Sequence, residues 1–266
     1  VAVNPSILGV INVTPDSFFE AVRTEDHQAA IARGRALFDA GCDIVDIGGE
    51  STRPGAEEVD VAEELRRVIP VIEALRPYGP LSIDTRKAEV ARAARAAGAD
   101  ILNDVSGTLP ELAGELGMGY VAMHTQGTPQ TMQLNPQYDD VVAEVLEALR
   151  DLAARATAAG VPQLWLDPGI GFGKRIEDNW TLLAHLDAFV SLAQSVGAGV
   201  LVGTSRKRFL ATAGPQELDV DQRFEGSLAT AAWALSQGVS IVRVHDVVSC
   251  LQVRDLLVRP VEEVGA

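Results

Sequence analysis

The sequence predicts an α/β fold, a TIM (β/α)8 barrel in a single domain over residues 1–266. Three observations carry this reading. Short apolar runs recur eight times, nearly all separated by helical patterns. Hydrophobic residues make up 47% and aromatic residues only 5%, with Ala, Val, Leu and Gly abundant, a mix that suits parallel strands under Ala-rich helices. A polar residue stands at or just beyond the C-terminal end of every run: Asn12, Asp46, Asp84, Asn103, His124, Asp167, Ser205, then Arg243 and His245. Those ends form the mouth of a barrel, where chemistry sits. At 266 residues, length alone slightly favours two domains, but no hydrophilic linker divides the chain. An open doubly wound sheet is the alternative.

The elements follow in order. Ser6–Asn12 is the first strand, and residues 26–40 read as a helix stopped by Gly41. Asp43–Ile47 is the second strand, running straight into Gly48-Gly-Glu-Ser-Thr-Arg-Pro-Gly55, two glycines followed by a run of hydrogen-bonding side chains. Residues 57–76 carry helical periodicity through Leu65, Val68, Ile69, Ile72 and Leu75, and Pro70 is expected to kink or divide this helix. Pro80–Asp84 is the third strand, followed by a helix from Lys87 to Ala97 closed by Gly98. Asp100–Asp104 and Gly119–His124 are the fourth and fifth strands. A polar loop, Thr125–Pro136, leads to a long helix ending near Ala159 before Gly160. Leu164–Asp167, Gly199–Thr204 and Ser240–His245 complete the eight, and a last helix follows.

Charge narrows the function. With 37 acidic and 22 basic residues the formal net charge is -15, which repels nucleic acid and anionic membranes. Neither is an expected partner; a small molecule is. No apolar run reaches membrane-spanning length and no charged-then-apolar leader opens the chain, so a cytoplasmic protein is expected. The first residue is Val rather than Met, which is compatible with trimming. Cys42 and Cys250 are read as buried free thiols of a reducing compartment.

Two polar constellations stand out. Asp84, Asn103 and Asp167 end three apolar strands, where a carboxylate is costly to bury without a purpose. Two carboxylates and an amide match the edge of a planar heterocycle bearing amino and ring N–H donors, although each could instead cap the following helix. The second group is Ser205-Arg206-Lys207-Arg208 with Arg53, Arg243 and His245. In so acidic a chain it suggests an anion such as phosphate, against the alternative of surface ion pairs for Arg206 and Arg208. Arg243 and His245 are two apart and so face the same way. Asp167-Pro-Gly-Ile-Gly-Phe-Gly-Lys174 has G-x-G-x-G spacing without a downstream acidic partner, so it reads as a flexible strand-to-helix loop and not as a dinucleotide site. Phe172 there offers an aromatic face or merely packs. His124 and His27 lack zinc-ligand spacing; magnesium held mainly by substrate phosphates is compatible.

Asn12-Val-Thr-Pro-Asp-Ser-Phe18, Asp46–Gly55, Asp84-Thr85, Asn103-Asp104, Met123-His124 with Gln126–Pro129, Asp167–Lys174, Ser205–Lys207 and Arg243–Asp246 together closely resemble the dihydropteroate synthase family, in order, from about residue 7 to 258. The resemblance implies a transferase of folate biosynthesis. It would condense (7,8-dihydropterin-6-yl)methyl diphosphate with 4-aminobenzoate to give 7,8-dihydropteroate and pyrophosphate. By family pattern Asp84, Asn103, Asp167 and Lys207 would bind the pterin, and Asn12 would coordinate Mg2+ beside the diphosphate. Thr52, Arg243 and His245 would contact the diphosphate substrate. Arg53, Pro54, Phe172 and Ser205 would line the aminobenzoate site. Asp84, Lys207, Arg243 and His245 are the expected catalytic groups, and a homodimer is implied. The first loop departs from the family pattern, reading Ser17-Phe18-Phe19-Glu20-Ala21 where an Asp-Gly-Gly sequence is usual, and Arg208 stands where a smaller polar residue is common. A pterin-dependent corrinoid methyltransferase and a non-catalytic pterin-binding homologue are the rival readings.

Overall fold

The eight apolar runs pair with one another in parallel, in sequence order, and the last returns to the first. In the computed structural model β1 (Ser6–Asn12), β2 (Ile44–Gly48), β3 (Leu81–Asp84), β4 (Ile101–Asp104), β5 (Gly119–Met123), β6 (Leu164–Asp167), β7 (Gly199–Val202) and β8 (Ile241–Val244) close into a barrel. The structure describes residues 4–13, 23–51, 55–128, 130–214 and 216–258, with side chains from residue 27 in the second of these segments. The closed ring replaces the open-sheet alternative, and each strand lies within a residue or two of its expected bounds.

The helices cover the ring: α1 (Arg23–Asp39), α2 (Val61–Leu75), α3 (Ala88–Ala97), α4 (Pro110–Leu116), α5 (Val141–Ala158), α6 (Ile176–Ala184), α7 (Leu186–Ser195), α8 (Phe224–Ser236) and α9 (Val247–Val258). Their ends follow from local chemistry. Asp60 caps α2 by accepting from the Glu63 amide at 2.8 Å, and Asp140 caps α5 by accepting from the amides of Val142 and Ala143. Gly98 ends α3 at φ 119°, a conformation that penalises a side chain. Pro70 does not divide its helix, because α2 runs through it and buries Val68, Val71, Ile72 and Leu75. Each such side chain contributes about 1.5–3 kcal/mol on burial, enough to offset a missing helical hydrogen bond. Both cysteines are free and buried. No described helix is long and apolar enough to cross a membrane.

Strand parity sets the mouth. A cluster of Leu8, Ile44, Ile101, Val121, Leu201 and Ile241, with Trp165 against it, is separate from the larger core between strands and helices. It fills the inside of the barrel. Residues two and four further along each strand face the same way. Two steps from Ile44 and Ile241 come Asp46 and Arg243; four steps from Ile241 comes His245. Two steps from Ile101 comes Asn103, which lies beside Asp84 in the ladder, and two steps from Trp165 comes Asp167, beside Met123. The polar ends of the strands therefore converge above an apolar plug.

Candidate active site

The centre of the mouth is a pair of buried carboxylates gripping one guanidinium. Arg243 donates from Nε to Asp46 Oδ2 at 2.7 Å and from Nη2 to Asp84 Oδ2 at 2.8 Å. Asn103 Nδ2 donates to the same Asp46 oxygen at 3.3 Å. Asp46 is fully buried, and Oδ1 of Asp46 and Oδ1 of Asp84 have no hydrogen-bond partner among the described residues. Buried acceptors left open cost stability, so the arrangement suits a ligand that brings N–H donors. Burial pushes the Asp84 carboxyl up to about 7; Arg243 pulls it down and Asp46 pushes it further up. Burial opposes the charge on Arg243, but Asp46 and Asp84 hold its pKa above the ordinary value.

The β6 end supplies the second wall. Asp167 Oδ1 accepts from the Gly169 amide at 2.7 Å, which turns the chain sharply. Burial raises Asp167, against the attraction of Lys207. Lys207 donates from Nζ to the Ile170 carbonyl and stands 4.6 Å from the centroid of the Phe172 ring. Burial lowers Lys207 to about 8, with Asp167 opposing. Phe172 thus lies beside the charged cluster and does not merely fill the core. The expected flexible loop is in fact tied down: Gln133 Nε2 donates to Gly171 O at 3.0 Å and Tyr138 Oη to Gly173 O at 2.8 Å.

The anion-facing group divides. His245 Nδ1 lies 3.0 Å from Ser205 Oγ, which also accepts from the His245 amide at 3.2 Å. Burial, then Arg243, lowers His245 to about 4, so the imidazole is neutral near pH 7 and offers one N–H. Arg206 is an ion pair with Asp246 at 2.8 Å, as its surface-pair reading anticipated. Arg243 gives Nε and Nη2 to carboxylates, so the basic group and the edge-reading group form one network. Asn12 ends β1, and its amide oxygen would lie 3.7 Å from a Cβ placed on Gly48, with Asp84 Oδ2 at 3.8 Å on the same glycine. Among the described residues no three His, Cys, Asp or Glu side chains gather to hold a metal. His124 Nδ1 lies 3.0 Å from Lys174 Nζ.

The structure brings together Asn12, Asp84, Asn103, Asp167, Phe172, Ser205, Lys207, Arg243 and His245 at one barrel end. Thr52, Arg53 and Pro54, with the altered Phe19–Ala21 segment, lie outside the described residues. Asp46 is the site residue that sequence reasoning placed at a strand end without giving it a role; its signal was a carboxylate inside the apolar run Ile44-Val-Asp-Ile47. Glu64 gave less signal. It sits on α2 next to the half-buried Glu63, yet it is fully buried, accepting from Thr85 Oγ1 at 2.7 Å and from Lys87 Nζ at 2.5 Å. Lys87 also pairs with Glu50, and Arg86 reaches Glu50 at 3.0 Å, which fixes the exit of β2.

With this geometry in place, comparison with known proteins is informative. The model of the pterin binding enzyme family matches residues 8–245. The dihydropteroate synthase of Escherichia coli K12 is 44% identical over 256 residues, covering 92% of this chain and 87% of the relative. The probable bifunctional folylpolyglutamate synthase/dihydropteroate synthase of Haloferax volcanii is 45% identical over 249 residues, of which the match spans only 29% of its length. Among solved structures, dihydropteroate synthase of Xanthomonas albilineans with 4-aminobenzoic acid superposes with a TM-score of 0.87 at 44% identity, over 95% of this chain and 92% of the other. The Thermus thermophilus synthase in complex with 6HMPPP gives 0.81 at 41% identity, over 95% and 93%. This chain belongs to the pterin-binding enzyme family, among its dihydropteroate synthases.

Proposed function

We propose that the barrel mouth joins (7,8-dihydropterin-6-yl)methyl diphosphate to 4-aminobenzoate, releasing pyrophosphate, with the roles that follow. The observation that supports it most is the buried Asp46–Arg243–Asp84 network with its open carboxylate oxygens. Asp84, Asn103 and Asp167 take the N–H edge of the pterin, and Asp46 holds Arg243 and Asn103 in place. Lys207 spans pterin and loop. Phe172 and Ser205, with Arg53 and Pro54, form the aminobenzoate wall. Thr52, Arg243 and neutral His245 face the diphosphate.

The C–O bond from the methylene to the diphosphate breaks, and the diphosphate leaves with the bonding pair. The methylene carbon keeps a positive charge that the pterin ring shares by conjugation. Carboxylates beside the ring stabilise that charge. The aniline nitrogen then forms the new C–N bond, and its proton, made acidic by attack, passes to the departing diphosphate or water. No covalent enzyme intermediate is needed. Asn12 fits a hard cation as one amide oxygen donor next to the phosphate-facing groups, and Mg2+ bound there would offset the charge of the leaving diphosphate. A reducing cytoplasm suits the two free thiols, and assembly as a homodimer belongs to the same reading, tested by sedimentation.

The test is pyrophosphate release from the pterin diphosphate on addition of 4-aminobenzoate. Release coupled to dihydropteroate formation supports the reading. Methyl transfer to a corrinoid protein, or tight binding without turnover, would replace it.

A further inference from the structure

The β6–α6 loop is held by side chains at every carbonyl from 169 to 173. Ile170 O takes Lys207, Gly171 O takes Gln133 and Gly173 O takes Tyr138. The remaining two go to one residue: Lys174 Nζ donates to Gly169 O and Phe172 O, both at 3.0 Å. The same ammonium reaches the end of β5, with His124 O at 3.3 Å and His124 Nδ1 at 3.0 Å. Lys174 is 2% exposed. Its ammonium thus lies among four acceptors, two carbonyls of the Gly169–Phe172 turn and two atoms of His124.

Other ties, from Lys207, Gln133, Tyr138, Asp167 and Asn179, each reach one atom of the loop, whereas Lys174 alone joins two of its carbonyls to the end of β5. Gly169, Gly171 and Gly173 have φ of 66°, 87° and 58°, so the backbone is one that only glycine adopts freely and that unfolded glycine readily leaves. A Cβ on Gly169 would lie 1.8 Å from His124 O, and one on Gly173 would lie 2.3 Å from Gln126 O. Two backbones are therefore pressed together with an ammonium at the join. We infer that Lys174 is a positioning residue: it clamps the Gly169–Gly173 loop against the end of β5 and thereby fixes the Phe172 ring for the second substrate. It touches no substrate itself and acts through Phe172. This rests on the proposed function for its kinetic consequence, but not for its structural one.

Full-length Lys174→Met and Lys174→Gln proteins test it, by amide hydrogen exchange without ligands and by steady-state kinetics. In Lys174→Met the amides of residues 169–173 should exchange at least roughly tenfold faster while strand amides stay protected. The KM for 4-aminobenzoate should rise roughly tenfold as the Phe172 ring loses its fixed place, and the KM for the pterin diphosphate by much less. Gln keeps two donors and should recover part of both effects. Equal changes in both KM values and kcat, exchange that rises throughout the barrel, or failure of both variants to fold would make Lys174 a general strut and overturn the inference. If the parent chain makes no dihydropteroate, the functional reading fails while local exchange still decides the role of Lys174.

Discussion

Removing the Arg243 side chain tests whether one guanidinium holds the two buried carboxylates. Arg243→Ala takes away the Nε donor of Asp46 and the Nη2 donor of Asp84, and Asp46 keeps Asn103 at 3.3 Å. Breaking a buried pair in this way costs about 3–5 kcal/mol when the partner stays charged. The loss depends on pH, and its sign follows from Asp84. Its folded pKa is raised to about 7, so below that pH it is neutral in both proteins and Arg243 gains little through Asp84 there. Above it, the parent ionises Asp84 beside Arg243, whereas in the variant the carboxyl pKa moves higher still. A raised carboxyl pKa lends stability that is lost as pH rises, so the variant falls behind the parent by about 1.4 kcal/mol per pH unit beyond 7. Between pH 6 and pH 9 the gap should widen by about 3 kcal/mol, on the order of 5–10 °C in melting temperature. Calorimetric melts of both proteins at the two pH values measure it. A gap of the same size at both, or a larger gap at pH 6, would refute the network as the source of stability.

Other outcomes follow from the same geometry. Asp167→Asn should weaken a pterin analogue lacking phosphates by roughly tenfold, read by titration calorimetry. Because Arg243 holds Asp84, Arg243→Ala should weaken that analogue as well, although sequence grouping alone assigns Arg243 to the phosphate. In kcat/KM the acid limb should rise near pH 7 as Asp84 ionises, and the alkaline limb should fall near pH 8 as Lys207 loses its proton; Lys207→Arg should move only the second. Chelation of Mg2+ should weaken the diphosphate substrate and leave the phosphate-free analogue unchanged, measured in parallel titrations.

The strands and the identity of the mouth were legible because buried parallel strands carry their own signal, and period two carried it from Ile241 to Arg243 and His245. The partners of those groups were not. That Arg243 grips Asp46 and Asp84 depends on ring closure, which sets β8 beside β1 and β1 beside β2. No local pattern encodes that adjacency. Glu64 carries no sequence signal of its own, because Thr85 and Lys87 meet it from a different element. Lys174 reads as the tail of a glycine loop, since three of its four contacts are to backbone oxygens, which every sequence possesses. Pro70 does not divide α2: its rule is local, and the buried face of the helix outweighs it.

The most direct test of the account is dihydropteroate formation from the two authentic substrates with Mg2+, comparing the parent with Asp84→Asn. The parent should release one pyrophosphate per dihydropteroate, and Asp84→Asn should lower kcat/KM by at least roughly tenfold, the loss of one charge-assisted contact to the reacting pterin. No product from the parent, or an unchanged kcat/KM in Asp84→Asn, would contradict it.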